Sequence, residues 1–192
     1  TTHEVKTPTG FKDAYEKYVE GGWAALSCDP EYGGQGLPFV ANQCVYEMLN
    51  GANQAWTMYP GLSHGAYEAL HAHGTDEQKK RWLPPLIQGR DKACFGVTEP
   101  NAGLNTLKLQ TRAVREGDHY VVHGQKVFIS TAQVANKILL LTRTTPVDAA
   151  RGTDGLTLFY TDLDRSKIEV REIAKLGRGC VDTNQLFIDG LR

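Results

Sequence analysis

The period of the apolar residues changes near residue 90 of this 192-residue chain, and that change limits the folds it can adopt. Up to residue 90 the apolar residues recur at helical spacing, and beyond it they alternate in short runs separated by turn residues. A chain of this length has enough apolar surface for one medium core or two small ones. The sequence therefore predicts an α+β protein, with a helical part over residues 1–90 and a β-domain over residues 91–192.

The helical part carries both the periodicity and the end signals of helices. Thr75, with Gln78 three residues later, is a capping box that opens one helix. We expect this helix to stop or kink at Pro84 and Pro85, because a proline nitrogen cannot donate a hydrogen bond. The preceding segment, HGAYEALHAHG, predicts a helix closed by Gly74. An apolar stripe predicts a further helix of about four turns, formed by Val40, Cys44, Val45, Met48, Leu49, Ala52 and Trp56.

The second half is typical of an antiparallel sheet. No helical stretch separates its alternating runs, which favours an antiparallel β-barrel or sandwich over a parallel sheet. The longest break, TTPVDAARGTDG at residues 144–155, is interpreted as an exposed loop. The predicted strands cover residues 93–98, 107–115, 119–123, 125–130, 137–143, 155–162, 167–173 and 184–189.

Composition excludes several classes of function. A formal net charge of −1 gives no electrostatic footprint for nucleic acid. No apolar run reaches the roughly 20 residues of a membrane-spanning helix. Four scattered cysteines without a Cys-x-x-Cys pair argue against a disulfide scaffold or a zinc site and suit a reducing compartment. We interpret all four as packing residues.

Two further patterns resemble functional motifs but have a structural explanation. The Gly-rich segment EYGGQGLPF follows no predicted strand, so we interpret it as a turn and not as a phosphate-binding loop. His64, Glu68 and His71 share one helix face, but a di-iron site needs a second Glu-x-x-His unit on a neighbouring helix. We interpret that face as solvated and predict no metal site.

Two predicted strand ends place hydroxyl groups next to aromatic side chains. Thr98 follows Phe95 in CFGVTEPNAGLN, and Ser130 follows Phe128 in HGQKVFIST. A planar redox-active ring needs an apolar or aromatic face and hydrogen-bond donors at its edge. The pair of strand ends is therefore a candidate for holding such a ring.

The second half contains three notable segments, in the order FGVTEPNAG, GDHYVVHGQKVFIS and KLGRGCVDTNQLFIDGLR. Together they resemble the middle β-domain of the acyl-CoA dehydrogenases, which are FAD enzymes that desaturate acyl-CoA thioesters. Upstream, PEYGGQGLP and HGTDEQKKRWLPPLIQG resemble the N-terminal helical domain of that family. The resemblance implies a partial N-terminal domain over residues 1–90 and a middle domain over residues 91–192. The helical half is most similar to the branch that includes 3-methylmercaptopropionyl-CoA dehydrogenase.

The resemblance also implies where the ligands bind. Residues 95–98 would lie along the pyrimidine side of the flavin, Phe128 would stack near the ring, and the Ser130 hydroxyl would point towards N5. The implied cofactor-binding residues are Phe95, Val97, Thr98, Gly103, Leu104, Phe128 and Ser130. The acyl chain would run between the helical part and the β-domain. The implied walls of its site are Thr57, Met58, Tyr59 and Leu62.

The chain departs from the family pattern at two places. Leu104 stands where the family usually has a serine that donates to the FAD pyrophosphate, and only the N–H groups of Gly103 and Leu104 remain to serve there. Arg178 lies one position earlier than the usual arginine, whose place is taken by Gly179. The loss of the serine at position 104 predicts weaker binding of FAD, not its exclusion.

In the family a glutamate removes the α-proton of the thioester while the β-carbon passes hydride to flavin N5, and an electron-transferring flavoprotein then takes the electrons. That glutamate belongs to a C-terminal helical bundle, whereas this chain ends at FIDGLR. We interpret Glu99 as structural, so we expect a segment without a catalytic residue, inactive alone. When full length it would be a homo-oligomer, a dimer or tetramer, in the bacterial cytoplasm or the mitochondrial matrix.

Two alternatives stay open. Acyl-CoA oxidases and nitroalkane oxidases share the same scaffold and differ in letting oxygen reach the reduced flavin. A non-catalytic relative that binds acyl-CoA or nucleic acid would keep the fold, and Leu104 and Arg178 suit it, although the near-neutral charge disfavours nucleic acid.

Overall fold

The structure, a computed structural model, describes residues 5–146 and 152–192. These residues form two compact units. The helical unit contains Val5–Lys92 and Gly177–Val181, and the sheet unit contains the described parts of Ala93–Leu176 and Asp182–Arg192. Residues 147–151 of the predicted loop lie outside the described residues.

The described part of the helical unit contains α1 (Phe11–Glu20), α2 (Phe39–His73) and α3 (Asp76–Ile87). Short 3₁₀ turns lie at Trp23–Ala25 and Pro30–Tyr32.

Helix α2 combines the two helices that the sequence predicts before Gly74. It is interrupted at Asn53, which has φ −162° and ψ 93°. The Asn53 side chain accepts a hydrogen bond from the N–H of Trp56 at 3.1 Å, so it restarts the helix in the way that an N-cap does.

Helix α3 begins as predicted but does not end at its prolines. The Thr75 and Gln78 capping box is present. The helix continues through Pro84 and Pro85 to Ile87, so the prediction of a stop there is wrong. A proline can still accept, and the Pro84 carbonyl receives the N–H of Gln88 at 3.0 Å.

The apolar stripe on the first half of α2 lies mostly outside the core. Trp56 is buried, but Val40, Cys44 and Met48 are exposed. The same face, with residues of α1 and Trp23, lines an apolar pocket of about 510 Å³. Cys28 and Cys94 are buried as predicted, whereas the exposure of Cys44 shows that its interpretation as a packing residue was wrong.

The Gly-rich segment is a turn that folds back on itself. The N–H of Gly34 donates to the backbone carbonyl of Asp29, and the N–H of Gly36 donates to that of Cys28, both at 2.9 Å. A Cβ atom at Gly34 would lie 2.0 Å from the Cys28 carbonyl oxygen, so only glycine fits there.

Replacing Gly34 with alanine should lower the free energy of unfolding by about 1–3 kcal/mol, because the methyl group meets backbone that cannot rotate away. Gly51→Ala is the control, since Gly51 is an exposed helical residue with nothing near its added Cβ. That control should stabilise the chain by about 0.5–1 kcal/mol. Urea unfolding of both variants checks this, and equal stability of Gly34→Ala and wild type would contradict it.

Among the described residues, seven strands form one mixed sheet. They are β1 (Ala93–Gly96), β2 (Arg112–Glu116), β3 (His119–Ser130), β4 (Lys137–Arg143), β5 (Leu156–Asp162), β6 (Ile168–Glu172) and β7 (Thr183–Leu191).

The strand order is β1-β4-β2-β3-β7-β6, and β5 pairs with β4. The predicted α+β architecture is confirmed, and most pairs are antiparallel. The β1–β4 pair and the single β2–β4 bridge are parallel, which differs from the predicted antiparallel pattern. A parallel pair needs a long connection, and the chain between β1 and β4 supplies it.

Strand β3 joins two runs that were predicted as separate strands. Its register against β7 shifts between Val122 and His123 and again between Lys126 and Ile129. Gly124 lies between these shifts. Glycine is needed there because a Cβ atom would come within 2.7 Å of the Thr111 backbone. The predicted strand 107–115 is shortened to β2, and Thr106–Lys108 forms a 3₁₀ turn instead.

Candidate functional site

The two strand ends singled out in the sequence meet in the sheet unit. The N–H of Val127 in β3 donates to the carbonyl of Thr98, just beyond β1, at 2.9 Å. Phe128 follows Val127 directly, and Ser130 lies three residues beyond Val127, within about 10 Å along the strand. The structure therefore brings the Phe95–Thr98 segment against the Phe128–Ser130 end of β3.

Phe128 has a conformation that is unusual for a bulky residue. It lies in the second bulge of β3, where two residues oppose Gln185 alone, and its φ is 61°. Its side chain is 64% exposed, so core packing does not compensate the left-handed strain. Strain of this kind is concentrated at binding and active sites. The bulge turns an apolar ring outward next to Thr98.

The end of β3 is held by a buried polar network. Thr131, with φ 62°, donates its N–H to the Asp182 carbonyl at 3.2 Å. The Asp182 carboxylate accepts the N–H of Gln133 at 2.9 Å and the Asn184 side-chain amide at 2.6 Å. Ser130 itself pairs with Thr183 of β7. This network fixes the direction in which β3 ends.

A buried ion pair lies beneath the meeting point, and sequence reasoning missed it. Lys126 is fully buried, and its Nζ lies 2.9 Å from Glu99 Oε1. The Glu99 carboxylate also accepts the N–H groups of Gln110 at 2.7 Å and Thr111 at 2.9 Å. The only sign of this pair in the sequence was a lysine inside a predicted strand, with turn residues before it and apolar residues after it. Glu99 thus links the turn after β1 to β3 and to the segment before β2.

Burial and pairing act in opposite directions on this pair. Burial raises the pKa of Glu99, but hydrogen bonds from Thr111, Gln110 and Lys126 outweigh it and hold the pKa below its usual value. Burial lowers the pKa of Lys126, and its hydrogen bond and charge interaction with Glu99 partly offset this. The geometry is that of a carboxylate and an ammonium paired at neutral pH.

Several donors at the meeting point have no partner in the protein. Within residues 5–146 and 152–192, the hydroxyls of Thr98 and Ser130 make no hydrogen bond, and the N–H of Thr98 has no acceptor. In the turn that follows Glu99, within the same ranges, the N–H groups of Gly103 and Leu104 also have no acceptor, and both residues are exposed. These groups are available to a ligand.

The predicted acyl-site residues lie in the helical unit, on the second segment of α2. Thr57 is buried, and its hydroxyl donates to the Asn53 carbonyl at 3.1 Å. The Tyr59 hydroxyl donates to the Cys180 carbonyl at 2.9 Å. Met58 Sδ lies 3.8 Å from an Arg178 guanidinium nitrogen, and Leu62 is half-buried.

The helix face with His64, Glu68 and His71 is only partly solvated. The His64 ring stacks on Tyr67 at 5.8 Å, and burial lowers the pKa of His64 while Glu68 acts in the opposite direction. His71 Nε2 lies 3.1 Å from the Asp29 carboxylate. The interpretation as a solvated face is therefore wrong for His64.

Neither a metal cluster nor a membrane span is found in the described ranges. Residues 5–146 and 152–192 contain no group of three or more His, Cys, Asp or Glu side chains that could hold a metal ion. In the same part of the chain, no helix is both long enough and apolar enough to cross a membrane.

Comparison with known proteins gives the same family for both halves. Residues 94–191 match the family model "Acyl-CoA dehydrogenase, middle domain", and residues 2–90 match "Acyl-CoA dehydrogenase, N-terminal domain".

Similar proteins of known name were found by sequence and by structure. The chain is 37% identical over 158 residues to 3-methylmercaptopropionyl-CoA dehydrogenase of Ruegeria pomeroyi, covering 81% of this chain and 27% of the relative. It is 33% identical over 191 residues to 3-(aryl)acrylate reductase of Clostridium sporogenes, covering 97% and 49%. The structure of an acyl-CoA dehydrogenase complexed with FAD from Bacillus anthracis matches with a TM-score of 0.82 and 25% identity, covering 94% and 30%.

The chain thus spans half or less of the length of these relatives. Both family models together cover nearly all of it, the N-terminal domain before the middle domain. The chain belongs to the acyl-CoA dehydrogenase family.

Proposed function

We propose that this chain carries the FAD-holding part of an enzyme that introduces an α,β double bond into acyl-CoA thioesters. The observation that carries the proposal is the hydrogen bond from Val127 to Thr98, which joins the segment with the unpaired Thr98 donors to the strand that carries the exposed Phe128. We further propose that residues 1–90 are part of the N-terminal domain and residues 91–192 are the middle domain.

The chemistry of the meeting point fits an isoalloxazine ring. Phe128 offers an apolar face, and the Thr98 N–H and the hydroxyls of Thr98 and Ser130 offer donors at an edge. Phe95 and Val97 belong to the same segment as Thr98. A flavin needs this combination of a face for stacking and an edge of donors.

FAD, when bound, would supply the hydride acceptor for the β-carbon of the thioester. The residues of this chain would hold the ring: Thr98 and Ser130 would orient its edge, Phe128 would cover one face, and the N–H groups of Gly103 and Leu104 would bind the pyrophosphate. The α-proton would be removed by a glutamate that is not among these residues. As partners we propose an acyl-CoA substrate, an electron-transferring flavoprotein as electron acceptor and further copies of the same chain.

The second segment of α2 suits an apolar substrate. Thr57 and Tyr59 donate their hydroxyls to the carbonyls of Asn53 and Cys180. Neither hydroxyl therefore needs a hydrogen-bond acceptor on the ligand. Met58 and Leu62 add apolar surface. We propose that these four residues contribute to the wall of the acyl site.

Titration of the purified chain with FAD, followed by quenching of flavin fluorescence, tests the proposal. Phe128→Ala should weaken FAD binding about 5- to 150-fold, which corresponds to the roughly 1–3 kcal/mol of stacking a ring on an aromatic side chain. Phe128→Gly should weaken binding equally while raising the free energy of unfolding by about 1 kcal/mol, because glycine adopts a positive φ without strain.

Val114→Ala is the matched control. Val114 is also exposed, but it pairs with Val121, seven residues before Phe128 and about 23 Å away along β3. It should bind FAD like the wild type. If the chain bound FAD and none of these substitutions changed the affinity, the ring would bind elsewhere. A chain that takes up no FAD would favour a non-catalytic relative.

A further inference from the structure

Lys126 donates hydrogen bonds to backbone carbonyls in addition to its ion pair with Glu99. Besides Glu99, its Nζ donates to the carbonyl of Val97 at 3.1 Å and to the carbonyl of Leu141 at 2.6 Å. All three protons of the ammonium group are therefore used, in a fully buried position. One of them is directed at the segment that borders the proposed flavin site.

The Val97 carbonyl and the Thr98 N–H belong to the same peptide group. A hydrogen bond from a cation draws electron density towards the carbonyl oxygen, and this leaves the N–H of that peptide more positive and a stronger donor. Low local polarity around a buried ammonium enlarges the effect. Across residues 5–146 and 152–192 the Thr98 N–H has no acceptor, so its strengthened donor capacity remains for a ligand.

The position of this peptide is fixed from a second side. The Thr98 carbonyl accepts the N–H of Val127, and Val127 follows Lys126 in β3. The same strand thus holds Thr98 through its backbone and polarises the preceding peptide through its lysine. The Glu99 carboxylate accepts another proton of the same ammonium group and two backbone N–H groups of its own. The pair forms a dipole whose positive end meets the Val97 carbonyl.

We propose that Lys126 is a positioning residue that tunes the bound flavin, by polarising the Val97–Thr98 peptide so that the Thr98 N–H stabilises the reduced ring more than the oxidised ring. This inference rests on the proposed function. Reduction adds electron density to the ring, so a stronger donor at its edge raises the reduction potential. Removing the ammonium should lower that potential.

The test compares Lys126→Met and the double variant Lys126→Met/Glu99→Gln with the wild-type chain. The double variant leaves no buried unpaired charge, which keeps the test valid if the single variant does not fold. The midpoint potential of bound FAD should fall by about 30 mV or more, the equivalent of a tenfold loss of preference for the reduced form in a two-electron couple. Lys137→Met is the matched control, since Lys137 is a buried lysine of β4 whose pairing with Asp162 does not involve the site.

A second measurement needs no flavin. In the FAD-free chain, the NMR signals of the Thr98 amide and the Val97 carbonyl carbon should move upfield in both Lys126 variants and stay in place in Lys137→Met. Folded variants that bind FAD at the wild-type potential would overturn the proposal, as would an unmoved Thr98 amide. Moved signals in a chain that takes up no FAD would support the polarisation and contradict the proposed function.

Discussion

Replacing Lys126 with methionine should lower the free energy of unfolding by about 3–5 kcal/mol, a large fraction of the roughly 5–15 kcal/mol of a typical domain. The variant leaves the Glu99 carboxylate buried without its cation and the carbonyls of Val97 and Leu141 without their donor. The two backbone N–H groups on Glu99 remain, so we expect the lower end of the range. Urea unfolding at pH 7 measures the change.

Lys137→Met and the double variant test whether the loss of stability comes from the unpaired Glu99 charge or from removing any buried lysine. Lys137 is also buried, but its partner Asp162 is mostly exposed and stays in water when the lysine is removed, so that substitution should cost less than Lys126→Met. Lys126→Met/Glu99→Gln should recover part of the loss, because it removes the unpaired charge but leaves an amide with a single acceptor oxygen for two N–H groups. A Lys126→Met variant as stable as Lys137→Met would contradict the assignment of a buried pair.

The pair also makes stability depend on pH in a defined direction. The pKa of Glu99 is lowered from its usual 4.5 in the folded chain, so its contribution is present above pH 4.5 and is lost as the pH falls through the folded pKa. Lys126→Met removes one cause of that lowering. Glu99 should therefore take up a proton at a higher pH in the variant than in the wild type, and the difference in stability between the two should narrow as the pH falls towards the lowered wild-type pKa of Glu99.

Replacing Leu104 with serine should tighten FAD binding about tenfold. A hydrogen bond to a charged group contributes about 1.5–3 kcal/mol, and the full exposure of Leu104 points to the lower end of that range. The leucine side chain is fully exposed, so its removal should change the free energy of unfolding by less than about 0.5 kcal/mol. Fluorescence titration with FAD measures the gain.

Leu176→Ser is the matched control because Leu176 is equally exposed outside the Gly103–Leu104 loop. It should leave the affinity for FAD unchanged. If Leu104→Ser bound FAD no better than Leu176→Ser, the pyrophosphate would not lie at this loop, and the role given to Gly103 and Leu104 would be wrong.

The sequence predicted the architecture and the meeting of the two strand ends better than it predicted what holds them. Alternation and turn residues located most strands, and the hydroxyls next to Phe95 and Phe128 indicated two segments that the structure joins by a hydrogen bond. The left-handed φ of Phe128 could not be predicted, because it arises from a register shift between β3 and β7. Such a shift depends on a strand that lies far along the chain from Phe128.

Lys126 was missed for a related reason. Regular alternation turns every second residue outward, and a lysine in a strand normally faces water. The bulge breaks that alternation, so that Lys126 and Val127 are both buried in succession. The carbonyls that receive the ammonium come from two other segments, after β1 and within β4, which local sequence does not connect.

Two local sequence signals, one for strand direction and one for a helix end, were not followed by the structure. Short runs with no helices between them favour antiparallel neighbours, but the β2–β3 hairpin is itself long enough to connect β1 to a parallel β4. Pro84 and Pro85 indicate a helix end, yet Leu86 and Ile87 are buried beyond them. Tertiary packing thus outweighed the local signal in both cases.

A crystal structure of this chain grown with FAD tests the central claim most directly. We predict an isoalloxazine ring stacked on Phe128, with the hydroxyls of Thr98 and Ser130 within about 3.2 Å of polar atoms at its edge. A ring bound elsewhere in the chain, or FAD density at the Thr98–Phe128 meeting point without either hydroxyl in contact, would contradict the account.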